Sequence, residues 1–221
     1  MYDSLREAAS ALSDEALQLI LLPTEQCNFR CVYCFESFQV GKMPTRISNG
    51  VKNLLESRFD KLSYLAIAWF GGEPLMALDV IESISTHIRS LLASHPAVRY
   101  KASITTNGYL LTPEVFRTLL DWGIFTYQIS FDGLQKLHDQ KRVLANGKPT
   151  FKRLWNNVKS MRTFTDRFAV TVRLHVDCDN AIFASDFLKQ FAQDFGDDNR
   201  FDLKVDLPSA GDGDQTDGLM E

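Results

Sequence analysis

The sequence lacks a long apolar run, a secretory leader pattern and an excess of basic charge, and each absence excludes a class of protein. No apolar run approaches the ~18 residues that a membrane-spanning helix needs. The first residues, MYDSLREAAS, lack the basic and then apolar order of a signal peptide. The formal net charge of −4 gives no basis for nucleic-acid binding, which depends on clustered positive charge. We therefore expect a cytoplasmic protein with neither a membrane nor a nucleic-acid partner.

Cysteine is also scarce, but three of the four cysteines fall in one short stretch, CNFRCVYCFE at positions 27–36. Cys27, Cys31 and Cys34 follow the spacing C-x3-C-x2-C. Thiols clustered in a reducing compartment rarely form structural disulfides, so metal binding or redox chemistry is the leading interpretation. A zinc site of three cysteines and one histidine is the alternative, although no histidine lies nearer in sequence than His87.

Short apolar runs alternate with helical stretches along the chain, a pattern typical of an α/β fold. The predicted strands are 17–24, 64–70, 99–106, 124–131, 168–176 and 200–207, and the predicted helices are 47–61, 76–95, 112–122, 150–164 and 181–195. Thr112 and Asn180 have the side chains of N-caps, Pro113 suits a first helical position and Gly123 suits a helix end. The alternation predicts parallel strands joined by right-handed crossovers in a partial, TIM-like (β/α)6 barrel.

The chain is 45% hydrophobic, enough to bury a sizeable core, and one core domain is predicted over residues 17–207. Residues 1–16 form a predicted helical extension. Residues 208–221, PSAGDGDQTDGLME, are rich in Pro, Gly and Asp, which predicts a disordered tail.

The most distinctive residues follow the predicted strands, at the edge where parallel α/β folds bind their ligands. The cysteine stretch follows the first strand, and the later strands lead into FGGEPL (70–75), TTNG (105–108) and SFDG (130–133), with HDQKR (138–142) soon after. In this order and spacing the motifs resemble the radical S-adenosylmethionine (SAM) superfamily. They are most similar to the branch of anaerobic sulfatase-maturating enzymes and other peptide-modifying maturases.

The resemblance implies that Cys27, Cys31 and Cys34 hold a [4Fe–4S] cluster and leave one iron open for SAM. An electron from the cluster then cleaves SAM to methionine and a 5′-deoxyadenosyl radical, which abstracts hydrogen from a substrate. In this branch the substrate is a peptide or protein side chain, and the electron comes from an external donor such as flavodoxin or ferredoxin. A non-catalytic or zinc-binding interaction module with the same fold is the alternative.

The resemblance also assigns SAM contacts to nine residues: Tyr33, Gly71, Gly72, Glu73, Pro74, Asn107, Ser130, Arg142 and Arg173. Tyr33 is expected to reach the adenine region, and Ser130 to bind the SAM carboxylate. The glycines are expected to let backbone approach SAM closely, with the Glu73 carboxylate accepting from its amine. Either Arg142 or Arg173 is expected to bind the carboxylate or ribose as a bidentate donor.

Plain structural roles are the alternatives for these residues: ring packing for Tyr33, a turn for the glycine pair and a turn cap for Ser130. No catalytic acid or base is assigned, because radical hydrogen abstraction needs none. His138 and Asp139 are expected to fix their loop. Cys178 is expected to be a small buried residue.

Overall fold

A six-stranded parallel sheet organises the chain in a computed structural model that describes residues 14–207. The strands are β1 (Ala16–Leu21), β2 (Phe29–Cys31), β3 (Tyr64–Trp69), β4 (Arg99–Thr106), β5 (Thr126–Phe131), β6 (Arg142–Leu144), β7 (Ala169–His175) and β8 (Phe201–Asp206). The main sheet has the order β1-β3-β4-β5-β7-β8, and every neighbouring pair is parallel. The predicted α/β class with a partial TIM-like barrel of six parallel strands is confirmed.

Helices connect the strands. They are α1 (Thr45–Arg58), α2 (Leu78–Ser94), α3 (Pro113–Asp121), α4 (Gln135–Lys141), α5 (Phe151–Met161) and α6 (Ala184–Phe195), with single 3-10 turns at Phe59–Lys61, Pro74–Ala77 and Ala181–Phe183. The predicted boundaries of α3 are confirmed, because the Thr112 hydroxyl accepts a hydrogen bond from Val115 N at 3.4 Å and Gly123 follows the helix with φ +84°. This geometry is the N-cap and glycine stop that the sequence indicates.

The two faces of the sheet differ in polarity because side chains alternate along each strand. On β5, Tyr127, Ile129 and Phe131 are fully buried in the apolar core that the helices cover. The residues between them face the other way, and the strand register aligns Ser130 with Arg173. We call this second surface the inner face; its central members are Ala66, Ala68, Ser103, Thr105, Gln128, Ser130, Thr171 and Arg173. Small and polar side chains therefore line the side of the sheet that the helices leave open.

Two local elements are absent from the sequence prediction. The short helix α4 follows the SFDG motif, and a two-stranded antiparallel sheet pairs β2 with β6. In that sheet Cys31 lies directly opposite Arg142. Strands of three residues carry too little periodicity to be recognised in a sequence, yet this pairing fixes the cysteine stretch to a distant part of the chain.

Asn180 was expected to be an N-cap, and it does occupy the N-cap position, before the 3-10 turn Ala181–Phe183. Its side chain makes no capping hydrogen bond. Instead the Asn180 Nδ2 group donates to the carbonyls of Asp132 at 3.2 Å and His175 at 2.8 Å. Because Asn180 is buried, it ties the end of β5 to the end of β7.

The predicted core domain, residues 17–207, lies within the described residues 14–207. The tail 208–221 and most of the extension 1–16 fall outside them. Within the described part, Asp14 and Glu15 form a turn and Ala16 begins β1. None of the helices described in residues 14–207 is long and apolar enough to cross a bilayer.

Candidate cluster and cofactor site

The cysteine loop leaves the end of β1 and is anchored to its neighbours on both sides. On the entry side, Gly72 N donates to Thr24 O at 3.1 Å and Glu73 N donates to Gln26 O at 2.9 Å. On the far side, Cys31 is part of the β2–β6 sheet. Cys27 and Cys31 are half-buried and Cys34 is exposed. The loop is therefore held in place by backbone pairing rather than by its thiols alone.

The glycine pair after β3 allows this anchoring. Gly71 has φ +112°, a conformation that favours glycine. A Cβ on Gly72 would lie only 2.2 Å from Glu25 O and 2.6 Å from Gln26 O. We expected the glycines to admit a ligand, but the group that approaches them closely is the backbone that leads into the cysteine loop.

Two donors point at the sulfur of Cys27. Phe29 N lies 3.3 Å from Cys27 Sγ, and Asn107 Nδ2 lies 3.6 Å from it. Burial raises the pKa of the Cys27 thiol to about 11, so the metal-free thiol is protonated at neutral pH and a metal displaces that proton on binding. Burial also raises the pKa of Cys31, whereas the Arg142 guanidinium opposes that shift.

Glu73 has a different environment from the one expected of a SAM ligand. Its side chain is fully buried. One carboxylate oxygen accepts from Leu75 N at 3.0 Å and Thr106 Oγ1 at 2.6 Å, and the other accepts from Asn107 N at 2.7 Å. Burial raises the pKa of this carboxyl, and these donors oppose the shift. The carboxylate joins the end of β3 to the end of β4, and in this way it orients Asn107 toward Cys27.

Three further residues form what we call the Arg142 network: Arg142, Tyr33 and Asp132. The Arg142 Nη1 group donates to the Tyr33 hydroxyl at 2.9 Å, and that hydroxyl donates to Asp132 Oδ2 at 2.6 Å. Arg142 and Asp132 are only 8% and 1% exposed. By itself burial lowers the pKa of the Arg142 guanidinium, but Tyr33, Cys31 and Asp132 outweigh it and raise that pKa. The guanidinium is therefore a fixed positive charge beside the cysteine loop.

Buried polar atoms without a partner gather around this loop. Arg142 Nε, Asp132 Oδ1 and Asn28 Nδ2 are enclosed, and none has a hydrogen-bond partner in the part of the chain that the structure describes. Ser130 is also buried, and within residues 14–207 its hydroxyl makes no hydrogen bond. Since buried polar groups in folded proteins are nearly always paired, these atoms fit a site that receives a polar ligand.

Arg173 is placed less favourably for a ligand. It lies on the inner face opposite Ser130, but its guanidinium forms an ion pair with Asp206 on β8. Of the two arginines expected near SAM, only Arg142 contacts the cysteine loop. Pro74 is buried and begins the 3-10 turn after the glycine pair.

Asp132 and His175 belong to the site although the sequence did not single them out. The His175 ring stacks on the Tyr33 ring with centroids 6.1 Å apart. Burial, with a smaller effect from Arg173, lowers the pKa of His175 to about 4, so the ring is neutral at pH 7. Two signals were present: Asp132 is inside the SFDG motif, and His175 follows Arg173 by two residues, which places both on one face of β7.

His138 and Asp139 fix their loop, as expected. Asp139 Oδ1 accepts from Thr150 N at 2.8 Å and Phe151 N at 2.9 Å, and so holds the start of α5. His138 is fully buried, with a ring nitrogen 3.2 Å from Thr150 Oγ1, and burial holds its pKa well below the usual range. Cys178, in contrast, is exposed, which corrects the expectation of a small buried residue.

The cysteine loop supplies three thiols, those of Cys27, Cys31 and Cys34, whereas a structural zinc site requires four donors around one ion. In a cubane [4Fe–4S] cluster each thiolate binds a different iron, so the three sulfurs need not converge on one metal position. The two donors to Cys27 Sγ are the kind of contact that tunes iron–sulfur clusters.

The open parallel barrel and the cysteine loop at its ligand edge define a class of α/β protein with clustered thiols where such folds bind their ligands. Within that class the chain belongs to the radical SAM superfamily, whose family model matches residues 21–176. Members of this family use a [4Fe–4S] cluster and SAM.

Known proteins resemble the chain over part of their length. A GTP 3′,8-cyclase of Nostoc sp. is 27% identical over 140 residues, which is 62% of this chain and 40% of the cyclase. A cysteine-type anaerobic sulfatase-maturating enzyme of Clostridium novyi is 26% identical over 163 residues, or 68% of this chain and 41% of that enzyme. The solved structure of native anSMEcpe with bound AdoMet and Cp18Cys peptide superposes with a TM-score of 0.70 at 23% identity, covering 86% of this chain and 51% of that one. The chain thus spans about half or less of each of these proteins.

Proposed function

We propose that this chain is the SAM-cleaving core of a radical enzyme that modifies a peptide or protein side chain. When bound, the cluster and SAM would supply a carbon-centred radical that abstracts hydrogen from the substrate. The observation that carries the proposal is the cysteine loop itself, which is anchored by backbone pairing at the ligand edge of the barrel. Around it lie buried polar atoms that have no partner within residues 14–207.

In this proposal the protein holds and orients two cofactors. Cys27, Cys31 and Cys34 would ligate the cluster. The described residues offer no partner to the Ser130 hydroxyl or to Arg142 Nε, so these two side chains would bind the SAM carboxylate. An external reductant such as flavodoxin or ferredoxin would supply the electron.

The remaining SAM contacts are proposed with different roles. Tyr33 would lie beside SAM with its hydroxyl held by the Arg142 network. Asn107 would lie between the Cys27 sulfur and the ribose, while Gly71, Gly72 and Pro74 would contact SAM through backbone groups. Glu73 would act indirectly, by fixing Asn107, and Arg173 would act only if its ion pair with Asp206 opens. These last two roles are weaker than the sequence suggested, because internal partners already engage both side chains.

The charges on the inner face favour a peptide over a nucleoside triphosphate. Arg173 and Lys204 lie in register on β7 and β8, and both pair with Asp206, Lys204 at 3.3 Å. A triphosphate binds through cations that are free to contact its oxygens. Because Asp206 already engages both cations, they are less available to phosphate oxygens, which favours a substrate of mixed or low charge. A GTP cyclase activity is the second candidate, because a relative with that name matches 62% of the chain.

Anaerobic reconstitution tests the first part of the proposal. We expect about four irons and four sulfides per chain, and loss of both when Cys27, Cys31 or Cys34 is replaced by Ala. The exposed Cys178 serves as the matched control, and Cys178→Ala should leave the iron content unchanged. Stoichiometric zinc with no iron would instead support the zinc-binding module.

SAM cleavage tests the second part. With dithionite as reductant, the reconstituted chain should convert SAM slowly to 5′-deoxyadenosine, and a pool of unmodified peptides should increase that rate. Deuterium-labelled peptides should pass their label to 5′-deoxyadenosine. Stimulation by GTP and not by peptides would favour the cyclase alternative, and a reconstituted cluster without any SAM cleavage would favour a non-catalytic module.

A further inference from the structure

Arg142 is a buried cation for which the described residues provide no ion-pair partner. It is 8% exposed, and within residues 14–207 no carboxylate lies at ion-pair distance from its guanidinium. Among the described residues, its only side-chain hydrogen bond goes to the neutral Tyr33 hydroxyl, and its Nε has no acceptor there. Burying an uncompensated charge is costly, so a negative group is expected to lie beside it in the working protein.

The cysteine loop is the place where that negative group would be bound. Arg142 lies directly opposite Cys31 in the antiparallel β2–β6 pair, and side chains at opposed positions project on the same side of such a pair. The next β2–β6 contact, Val32 N to Lys141 O at 3.0 Å, keeps the two strands in this register. A cluster held by three thiolates would therefore form next to the guanidinium.

We propose that Arg142 is the counter-cation of the cluster bound at Cys31 and that it raises the reduction potential of that cluster. The inference rests on the proposed function, because it requires the cluster to be present. One-electron reduction adds a negative charge to a site that already contains three thiolates. A fixed cation in a low-dielectric environment stabilises the reduced state more than the oxidised state, and nearby charge is one of the factors that set the potential of iron–sulfur clusters.

Tyr33 and Asp132 are positioning residues in this proposal. The Tyr33 hydroxyl lies between the guanidinium and the Asp132 carboxylate, at 2.9 Å from the first and 2.6 Å from the second. It separates the two charges, so the carboxylate does not neutralise Arg142 directly. The negative charge of Asp132 lowers the reduction potential of the cluster and so partly offsets the effect of Arg142.

Redox titration of the reconstituted protein, followed by electron paramagnetic resonance, tests this inference. The titration is run without SAM, so that any role of Arg142 in SAM binding does not contribute. Arg142→Gln should make the cluster harder to reduce, with at least a tenfold lower equilibrium constant, or about 59 mV for one electron. Arg142→Lys keeps the positive charge, so its reduction potential should stay close to that of the original protein.

Asp132→Asn provides a second variant with an effect of opposite sign. The amide oxygen can still accept from the Tyr33 hydroxyl, but the negative charge is lost, so the cluster should become easier to reduce. Arg89→Gln is the matched control: Arg89 is exposed on α2, far in the chain from the cysteine loop, and its loss should leave the potential unchanged.

Three outcomes would overturn the inference. The first is a reduction potential that is unchanged in Arg142→Gln. The second is a potential that falls as much in Arg142→Lys as in Arg142→Gln, and the third is a shift of the potential in the same direction in Arg142→Gln and Asp132→Asn. The last two would indicate general disturbance of the loop rather than charge. If Arg142→Gln fails to take up iron, the sign of the Asp132→Asn shift decides alone. Failure of the original protein to form any cluster would refute the proposed function instead, so the two failures are distinguishable.

Discussion

Replacing Gly72 with alanine should destabilise the chain even when no cofactor is present. The added Cβ would lie 2.2 Å from Glu25 O and 2.6 Å from Gln26 O, and both obstacles are backbone atoms that cannot rotate away. Forcing an extra carbon into such a contact typically costs about 1–3 kcal/mol. The two chain segments would separate, and the Gly72 N to Thr24 O hydrogen bond at 3.1 Å would be strained.

The measurement is thermal unfolding of the metal-free chain under anaerobic conditions. For a domain of this size, 1 kcal/mol corresponds to roughly 2–4 °C in Tm, so Gly72→Ala should lower Tm by several degrees. Iron uptake on reconstitution should fall as well, because the segment that moves leads directly into Cys27. Gly50→Ala is the matched control: Gly50 lies in α1, where an added Cβ would meet nothing within 4 Å, and alanine should stabilise that helix by about 0.5–1 kcal/mol.

The result separates two explanations of the glycine pair. If the glycine served only to admit SAM, Gly72→Ala would leave the metal-free Tm unchanged and would weaken SAM binding alone. That outcome would refute the reasoning from backbone contact.

Stability measurements also test three other contacts. Glu73→Gln should lower the free energy of unfolding by about 1–3 kcal/mol, measured by urea denaturation, because the amide cannot accept from all three donors. Thr112→Ala should cost about 1 kcal/mol by the same assay, since the cap of α3 is lost. In the metal-free chain, Cys27 has a pKa raised from 9.0 to about 11, so the unfolded chain loses this proton first and stability should fall as pH rises between these values. Cys27→Ala should reduce that pH dependence, and identical pH profiles of the two proteins would contradict the assignment.

Most of the fold could be predicted from the sequence because its signals are local. The apolar run that predicts β5 and the cap at Thr112 depend on residues close together in the chain, and the structure confirms both. The pairing of Cys31 with Arg142 could not be predicted, since each strand has three residues and the partners are distant in sequence.

The side-chain partners on neighbouring strands could not be predicted from the sequence either. A carboxylate after a strand has the same sequence pattern whether it faces a ligand or a neighbouring strand, so the internal hydrogen bonds of Glu73 gave no signal. The same holds for Arg173, whose partner Asp206 lies on the last strand. The motifs indicated where the site lies, but only the packed sheet shows which of its polar groups are already paired.

The antiparallel pairing of β2 with β6 also determines when the cysteine site can be completed during synthesis. Tyr33 and Arg142 are 109 residues apart in sequence. A ribosome that adds about 5–20 residues per second needs roughly 5–20 s to make the intervening chain. During that interval the three thiols have been synthesised, but the strand that fixes their loop does not yet exist. Contacts of such long sequence separation form late, so the newly made chain reaches an ordered thiol site only after β6 has emerged and docked.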